Sequence, residues 1–372
     1  AILICDFEHW DFYDLDKGGE KTSFTLAELP EYIHLFYYLA GYGERVYREE
    51  DPVNIKAAEL MGVVHDQLKE SGYVGHALEV YLVRLLFCLF ADDTGIFNKD
   101  DFLFFLQECT AEDGRDLGAQ LAQFFQVLNT PEDRRMRGMD ERLASFPYIN
   151  GGLFAEWLPI PFFNGEMRQA LLDCSALDWG KISPAIFGSL FQSVMNPVER
   201  RALGAHYTSE RNILKLIRPL FMDALREEFE RLRADRSTRR ANNLERFQQK
   251  LASLSFLDPA CGCGNFLVIA YRELRQLELE VLRALERDGQ RVLDVSDLCK
   301  VNVNQFYGIE IEEFPAQIAQ VAMWLMDHQM NREVGNHFGQ YFARIPLRQS
   351  ATIRCANALT MDWTELVPPS EL

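Results

Sequence analysis

Apolar residues along this chain change their spacing twice. In the opening stretch Ile2, Leu3 and Ile4 are followed by Phe7, Trp10, Phe12 and Tyr13 set among acids. That texture predicts two short strands joined by a turn, with Lys17-Gly18-Gly19 as the turn that follows. Two strands cannot bury a face alone, so residues 1–24 read as the strand remnant of a preceding domain. From Leu26 the spacing becomes helical: Leu26, Leu29, Ile33, Leu35 and Phe36 recur at intervals of three and four, with Thr25 placed to cap them. The same pattern predicts helices over 52–71, 75–91, 101–108 and 114–129. After a break at Pro147, Gly151 and Gly152 it resumes over 167–172 and 184–191. The 75–91 segment is apolar over much of its circumference, which marks the central helix of a bundle. Residues 25–195 are therefore expected to form an all-helical spacer.

Beyond Pro197 helical and strand-like stretches alternate. A helix over 209–232 is followed by a polar, basic connector over 233–241. Leu254 to Leu257 reads as a buried strand that enters a glycine-rich loop and then a helix from about Asn265. A second strand is expected at 305–311, a helix starting near Pro315, and a third strand at 352–355. This is the grammar of a parallel sheet with helical crossovers, so the fold class is α + α/β: a helical bundle, then an incomplete Rossmann-like sheet over 196–372.

Composition narrows the picture. A chain of 372 residues has room for two or three domains, and 48% apolar with 25% charged residues excludes wholesale disorder. No apolar run is long enough to span a bilayer, and nothing at the amino terminus resembles a signal peptide. The eight cysteines mostly stand alone beside apolar residues, the pattern of buried thiols in a reducing cytoplasm. Cys261 and Cys263 are two apart, but no second pair completes a tetrahedral metal site, and no metal is expected. A net charge of −18 argues against a general nucleic-acid binder, since phosphate contacts need Lys and Arg. Two basic clusters, Arg134, Arg135 and Arg137 and then Arg231, Arg233, Arg236, Arg239 and Arg240, read first as solvated faces and second as contacts to a DNA backbone.

Candidate chemistry gathers at three strand ends. The loop Asp258-Pro259-Ala260-Cys261-Gly262-Cys263-Gly264-Asn265-Phe266 follows a strand with an acid and lets the backbone turn tightly before a helix, whose free N–H groups then face a ligand. It lacks the third glycine of a dinucleotide fingerprint, position 267 being Leu, and has no Gly-Lys-Ser/Thr for a nucleoside triphosphate. The second strand ends in Glu310, placed to accept hydrogen bonds from ribose hydroxyls, with Ile311 beside it for an adenine face. Asn357, past the third strand, has an amide suited to an adenine edge.

The loop resembles the first cofactor motif of the amino-methylating DNA methyltransferases, whose usual form is DPACGSGNF. More narrowly, the chain resembles the large single-chain restriction–modification enzymes that join a nuclease, a helical spacer, an adenine-N6 methyltransferase and a recognition domain. The likeness extends over Leu85 to Phe97 and Phe146 to Phe154 in the spacer, and over Leu203 to Ser209, which is similar to the family's motif X. The resemblance implies S-adenosyl-L-methionine as cofactor and double-stranded DNA as the parent protein's partner. It implies that Asp258, Pro259, Ala260, Cys261, Gly262, Gly264 and Asn265 wall the methionine part and that Tyr207 and Thr208 contact its carboxylate and amine. It further implies ribose on Glu310, adenine on Ile311 and adenine N6 on Asn357, where many relatives have Asp.

The family's catalytic Asn/Asp-Pro-Pro-Tyr/Phe, which holds the flipped adenine, has no counterpart here. Asn196-Pro197-Val198 and Val367-Pro368-Pro369-Ser370 both lack the aromatic. No catalytic residue is therefore assigned, and the chain is expected to be the inactive central piece of a longer protein. Its strand at 255–257 is expected to leave an edge open to dimer or lattice pairing. Two other readings stay open: a methyltransferase for another substrate, and a non-catalytic scaffold of a defence complex. Asn-Pro-Pro-Phe or Asn-Pro-Pro-Tyr soon after residue 372 would favour the DNA enzyme, and failure to bind cofactor would favour the scaffold.

Overall fold

A computed structural model describes residues 2–14, 20–32, 52–149, 152–185, 188, 208–287, 298–338 and 351–367. The chain divides into two compact units, 1–49 and 50–372. In the first, β1 (Ile2–Cys5), β2 (His9–Asp14) and β3 (Glu20–Thr25) form an antiparallel meander, followed by a short helix, α1 (Leu29–Tyr32). The sequence predicts two strands, and the third is a correction. Its alternation is carried by Thr22, Phe24 and polar neighbours, and only pairing with β2 brings Phe24 opposite Trp10 into a buried position. Glu28 then accepts from the Thr25 N–H and hydroxyl at the start of the helical segment.

In the second unit the helical region comprises α2 (Pro52–Glu70), α3 (His76–Thr94), α4 (Asp101–Glu108), α5 (Leu117–Leu128), α6 (Glu141–Ser145) and α7 (Gly165–Ser175), with no strand among the described residues of 52–185. α3 is buried around nearly its whole circumference, as its sequence predicts. The aromatic rings form its core: Phe124 packs against Phe102, Phe105 and Phe146, and Phe87 meets Phe97 and Phe154 edge-on. Most of the helix expected over 184–191 lies outside the described residues.

The remaining helices are α8 (Glu210–Ile217), α9 (Asp223–Ala234), α10 (Arg240–Ser253), α11 (Asn265–Arg287) and α12 (Glu313–Phe338). The single helix expected over 209–232 is interrupted between α8 and α9 by a π turn, Arg218–Met222, where the Asp223 N–H reaches back to the Arg218 carbonyl. Pro219 is the cause: it has no N–H to donate, and its ring crowds the carbonyl four residues earlier. α10 takes up sequence to which the periodicity assigns no element.

Three strands, β4 (Phe256–Asp258), β5 (Phe306–Glu310) and β6 (Thr352–Cys355), pair in parallel in the order β4-β5-β6, each carboxyl end within a residue of the one the alternation predicts. Phe256 pairs with Phe306 in register and stacks on it at 4.9 Å, with Phe221 of the π turn covering Phe256 and Tyr271 of α11 meeting Phe306 edge-on. Parallel pairing with this register places the carboxyl ends of all three strands side by side, and the candidate residues lie there.

Candidate functional site

The loop after β4 is shaped by what its residues lack. Gly262 and Gly264 have φ of +53° and +77°, a region costly for any residue with a Cβ. At Gly264 a Cβ would also come within 2.9 Å of the Ala319 Cβ, so the loop can lie directly on α12. The turn closes through the Gly264 N–H on the Cys261 carbonyl (2.8 Å), and the Cys261 N–H donates to Ile309 of β5 (3.0 Å). Gly308 makes the matching allowance from β5: a Cβ there would stand 2.7 Å from the Cys261 sulfur. The need for Gly308 and for a small residue at 319 is not visible in the sequence, because both answer to neighbours far away along the chain.

Glu310 ties the strand ends together. Its Oε2 accepts from the Gly262 N–H at 2.8 Å and its Oε1 from the Glu312 N–H at 3.1 Å, while its own carbonyl accepts from Ala356 beyond β6 at 2.8 Å. Asp258 accepts from the Ala260 N–H at 3.1 Å. Burial pushes the Asp258 carboxyl above the usual carboxylate range, and the nearby Glu310 charge adds to the effect. Ile311 follows Glu310 and is 59% exposed, a large apolar side chain left uncovered beside two acids. Asn357 is exposed and turned back on its own chain, its Oδ1 accepting from the Leu359 N–H at 3.0 Å. One carbonyl lone pair and the amide N–H groups remain for other partners.

The structure thus brings together Asp258, Pro259, Ala260, Cys261, Gly262, Gly264, Asn265, Glu310, Ile311 and Asn357 at one sheet end. Thr208 is described just ahead of α8, whereas Tyr207 and the rest of the motif X segment lie outside the described residues. The thiols of Cys261 and Cys263 are pushed well up by burial, so both stay protonated and act as packing. All eight cysteines are free, and among the described residues no cluster of His, Cys, Asp or Glu could hold a metal. None of the described helices is long and apolar enough to cross a membrane.

The residues fit an adenosyl cofactor on three counts. A carboxylate stands at the end of β5 beside the glycine loop, an exposed apolar face adjoins it, and the space above Gly262 is open, with no atom within 4 Å of where a Cβ would be. Family models cover the chain in the same order. Residues 1–71 match the N-terminal domain of MmeI, 76–154 its helicase spacer domain and 234–372 its DNA-methyltransferase domain. Together these matches place the chain in the MmeI family. It is 38% identical over 372 residues to DNA methyltransferase A of Bacillus subtilis (strain 168), a match covering 99% of this chain and 41% of that protein. A shorter match, 32% over 82 residues, links 22% of this chain to 6% of the adenine-specific methyltransferase BrxX of Escherichia coli O9:H4. Among solved structures, that of the Type IIL restriction–modification enzyme MmeI in complex with DNA superposes with a TM-score of 0.78 at 61% identity, covering 86% of this chain and 42% of that one. The chain spans about two fifths of the length of the MmeI structure and of the Bacillus protein.

Proposed function

We propose that this chain forms the cofactor-binding part of an S-adenosyl-L-methionine-dependent, adenine-specific DNA methyltransferase belonging to a restriction–modification enzyme. The observation that carries the reading is the bridge from Glu310 to the Gly262 N–H, which sets an acceptor and a glycine cradle at the ends of adjacent parallel strands. In this reading Glu310 takes the ribose hydroxyls, Ile311 the adenine face and Asn357 the adenine N6. The 258–265 loop walls the methionine part, and Tyr207 and Thr208 meet its carboxylate and amine. The cofactor supplies an electrophilic methyl group on a sulfonium. The residues of this chain bind and orient it. No Asn/Asp-Pro-Pro-Tyr/Phe occurs in the sequence, so methyl transfer to adenine requires groups this chain does not supply.

Double-stranded DNA is the partner of the whole enzyme in this reading, with weak or no binding by this acidic chain alone and a cytoplasmic location suited to its free thiols. The outer edge of β4 has no strand beside it among the described residues and is only half-buried, which favours pairing with a second copy. Calorimetry with S-adenosyl-L-methionine tests the central claim. Binding is expected, and Glu310→Ala should weaken it by about 1.5–3 kcal/mol, the scale of a hydrogen bond to a charged group. Affinity unchanged within about twofold would remove Glu310 from the site.

A further inference from the structure

Residues 155–233 fall between the spacer and methyltransferase domains that the family models match, yet one of them reaches the cofactor loop. Gly188 is buried, and a Cβ there would stand 2.2 Å from Nδ2 of Asn265, 2.8 Å from its Oδ1 and 2.9 Å from its Cγ. No side chain fits in that space while the amide stays where it is. The segment leading to Gly188 is fastened to two helices. The Trp179 N–H donates to Asp93 of α3 at 2.7 Å, and the Ile182 carbonyl accepts from Gln329 of α12 at 2.9 Å. Ile182 and Ala185 are themselves buried.

Asn265 is the residue through which this contact can act. It opens α11 directly after Gly264, whose left-handed φ and close approach to Ala319 already pin the loop to α12. Its Oδ1 is buried without a hydrogen-bond partner. A carbonyl oxygen in that state gives its amide no directional bond to hold it, so the amide is kept in place by packing on Gly188. The three atoms nearest a Cβ at 188 all belong to this one amide, and the strain of a methyl group there falls on Asn265 first. Either the amide swings away or the start of α11 moves, and Gly264 is the adjoining residue. We propose that Gly188 is a positioning residue: through Asn265 it holds the Gly262–Gly264 loop in its binding shape, an inference that rests on the cofactor role given to that loop.

The test compares four forms of the whole chain: wild type, Gly188→Ala, Asn265→Ala and the double variant. One readout is the backbone amide signals of Gly262 and Gly264 in nitrogen-correlated NMR spectra taken without cofactor. The other is the dissociation constant for S-adenosyl-L-methionine by calorimetry. Gly188→Ala should shift both signals and weaken cofactor binding about tenfold. Asn265→Ala removes all three atoms in the way, so adding Gly188→Ala to it should leave the signals in place and change affinity by no more than about twofold. A glycine needed only for folding would instead lower the melting temperature equally in both backgrounds and leave the dissociation constant alone. The proposal is overturned if Gly188→Ala does not move the Gly262 and Gly264 signals, or moves them equally in the Asn265→Ala background. It is also overturned if wild type and Gly188→Ala bind the cofactor alike. Should wild type bind no cofactor while the signals respond as expected, the cofactor reading fails and the positioning of the loop by Gly188 stands.

Discussion

Gly264 carries two constraints at once, a left-handed φ of +77° and a Cβ position 2.9 Å from Ala319. Gly264→Ala must either strain the loop or lift it off α12, and a loss of about 1–3 kcal/mol in stability is expected, with cofactor binding abolished. Denaturant unfolding checks the first and calorimetry the second; wild-type values in both would mean that the loop tolerates displacement. Asp92 makes a different kind of prediction. It accepts from the Phe102 and Leu103 N–H groups at the start of α4, yet burial pushes its carboxyl up to about 6. A folded-state pKa above the unfolded value means that the folded protein holds the proton more tightly. The resulting stabilisation is complete at low pH and is lost as pH rises from about 4 to about 6. The unfolding free energy of wild type minus that of Asp92→Asn should fall over that window and level off above it; a flat difference, or one that rises with pH, would show that the two N–H bonds outweigh burial.

At the level of elements, α10, α11 and α12 are joined by a buried polar network. Arg275 of α11, 1% exposed, donates to Asp327 (3.0 Å) and Asn331 (2.9 Å) of α12 and to Tyr271 (2.7 Å), and lies 3.5 Å from Glu278. Glu278 in turn accepts from Gln248 of α10 and from the N–H groups of Lys300 and Val301. Arg275→Met would leave Asp327 and Glu278 buried without a cation, and should lower stability by about 3–5 kcal/mol in thermal or denaturant unfolding. A loss below about 1 kcal/mol would show that the carboxyls simply take up protons. None of this network was legible from periodicity, which sees apolar stripes and not polar partners 52 residues apart. α4 and β6 were legible because each has a clean period and clear ends. α10 was missed because its stripe, Leu244, Phe247 and Leu251, is thin and set among Arg, Asn, Glu and Gln. The gathering of the candidate residues at three strand ends was readable from the alternation of strands and helices, but Gly308 and Ala319 became meaningful only once the chain had folded back on itself.

Across the larger unit, α12 serves two neighbours. Near its start Ala319 supports the glycine loop, and further along Trp324 stacks on Phe87 of α3 at 5.3 Å. The His328 Nε2–H donates to the Thr94 carbonyl at 2.8 Å, Arg332 to that of Asp93, and Gln329 to that of Ile182. Burial holds the His328 imidazole below its ordinary pKa, so this contact is made by the neutral ring. The methyltransferase-side helix and the central spacer helix are therefore packed as one body, though the family models divide them at 154 and 234.

That shared packing sets the terms on which parts can be exchanged between relatives. A chimaera cut at residue 234, with its spacer taken from the 38% identical Bacillus protein, would rest Trp324 and His328 of α12 on a spacer helix whose ring at 87 and main-chain carbonyl at 94 come from another sequence. It should come out insoluble, or melt well below either parent. Transplanting residues 52–338 together carries the whole seam and should give a folded product, and scanning calorimetry of the two junctions would show which segment is inherited as a unit.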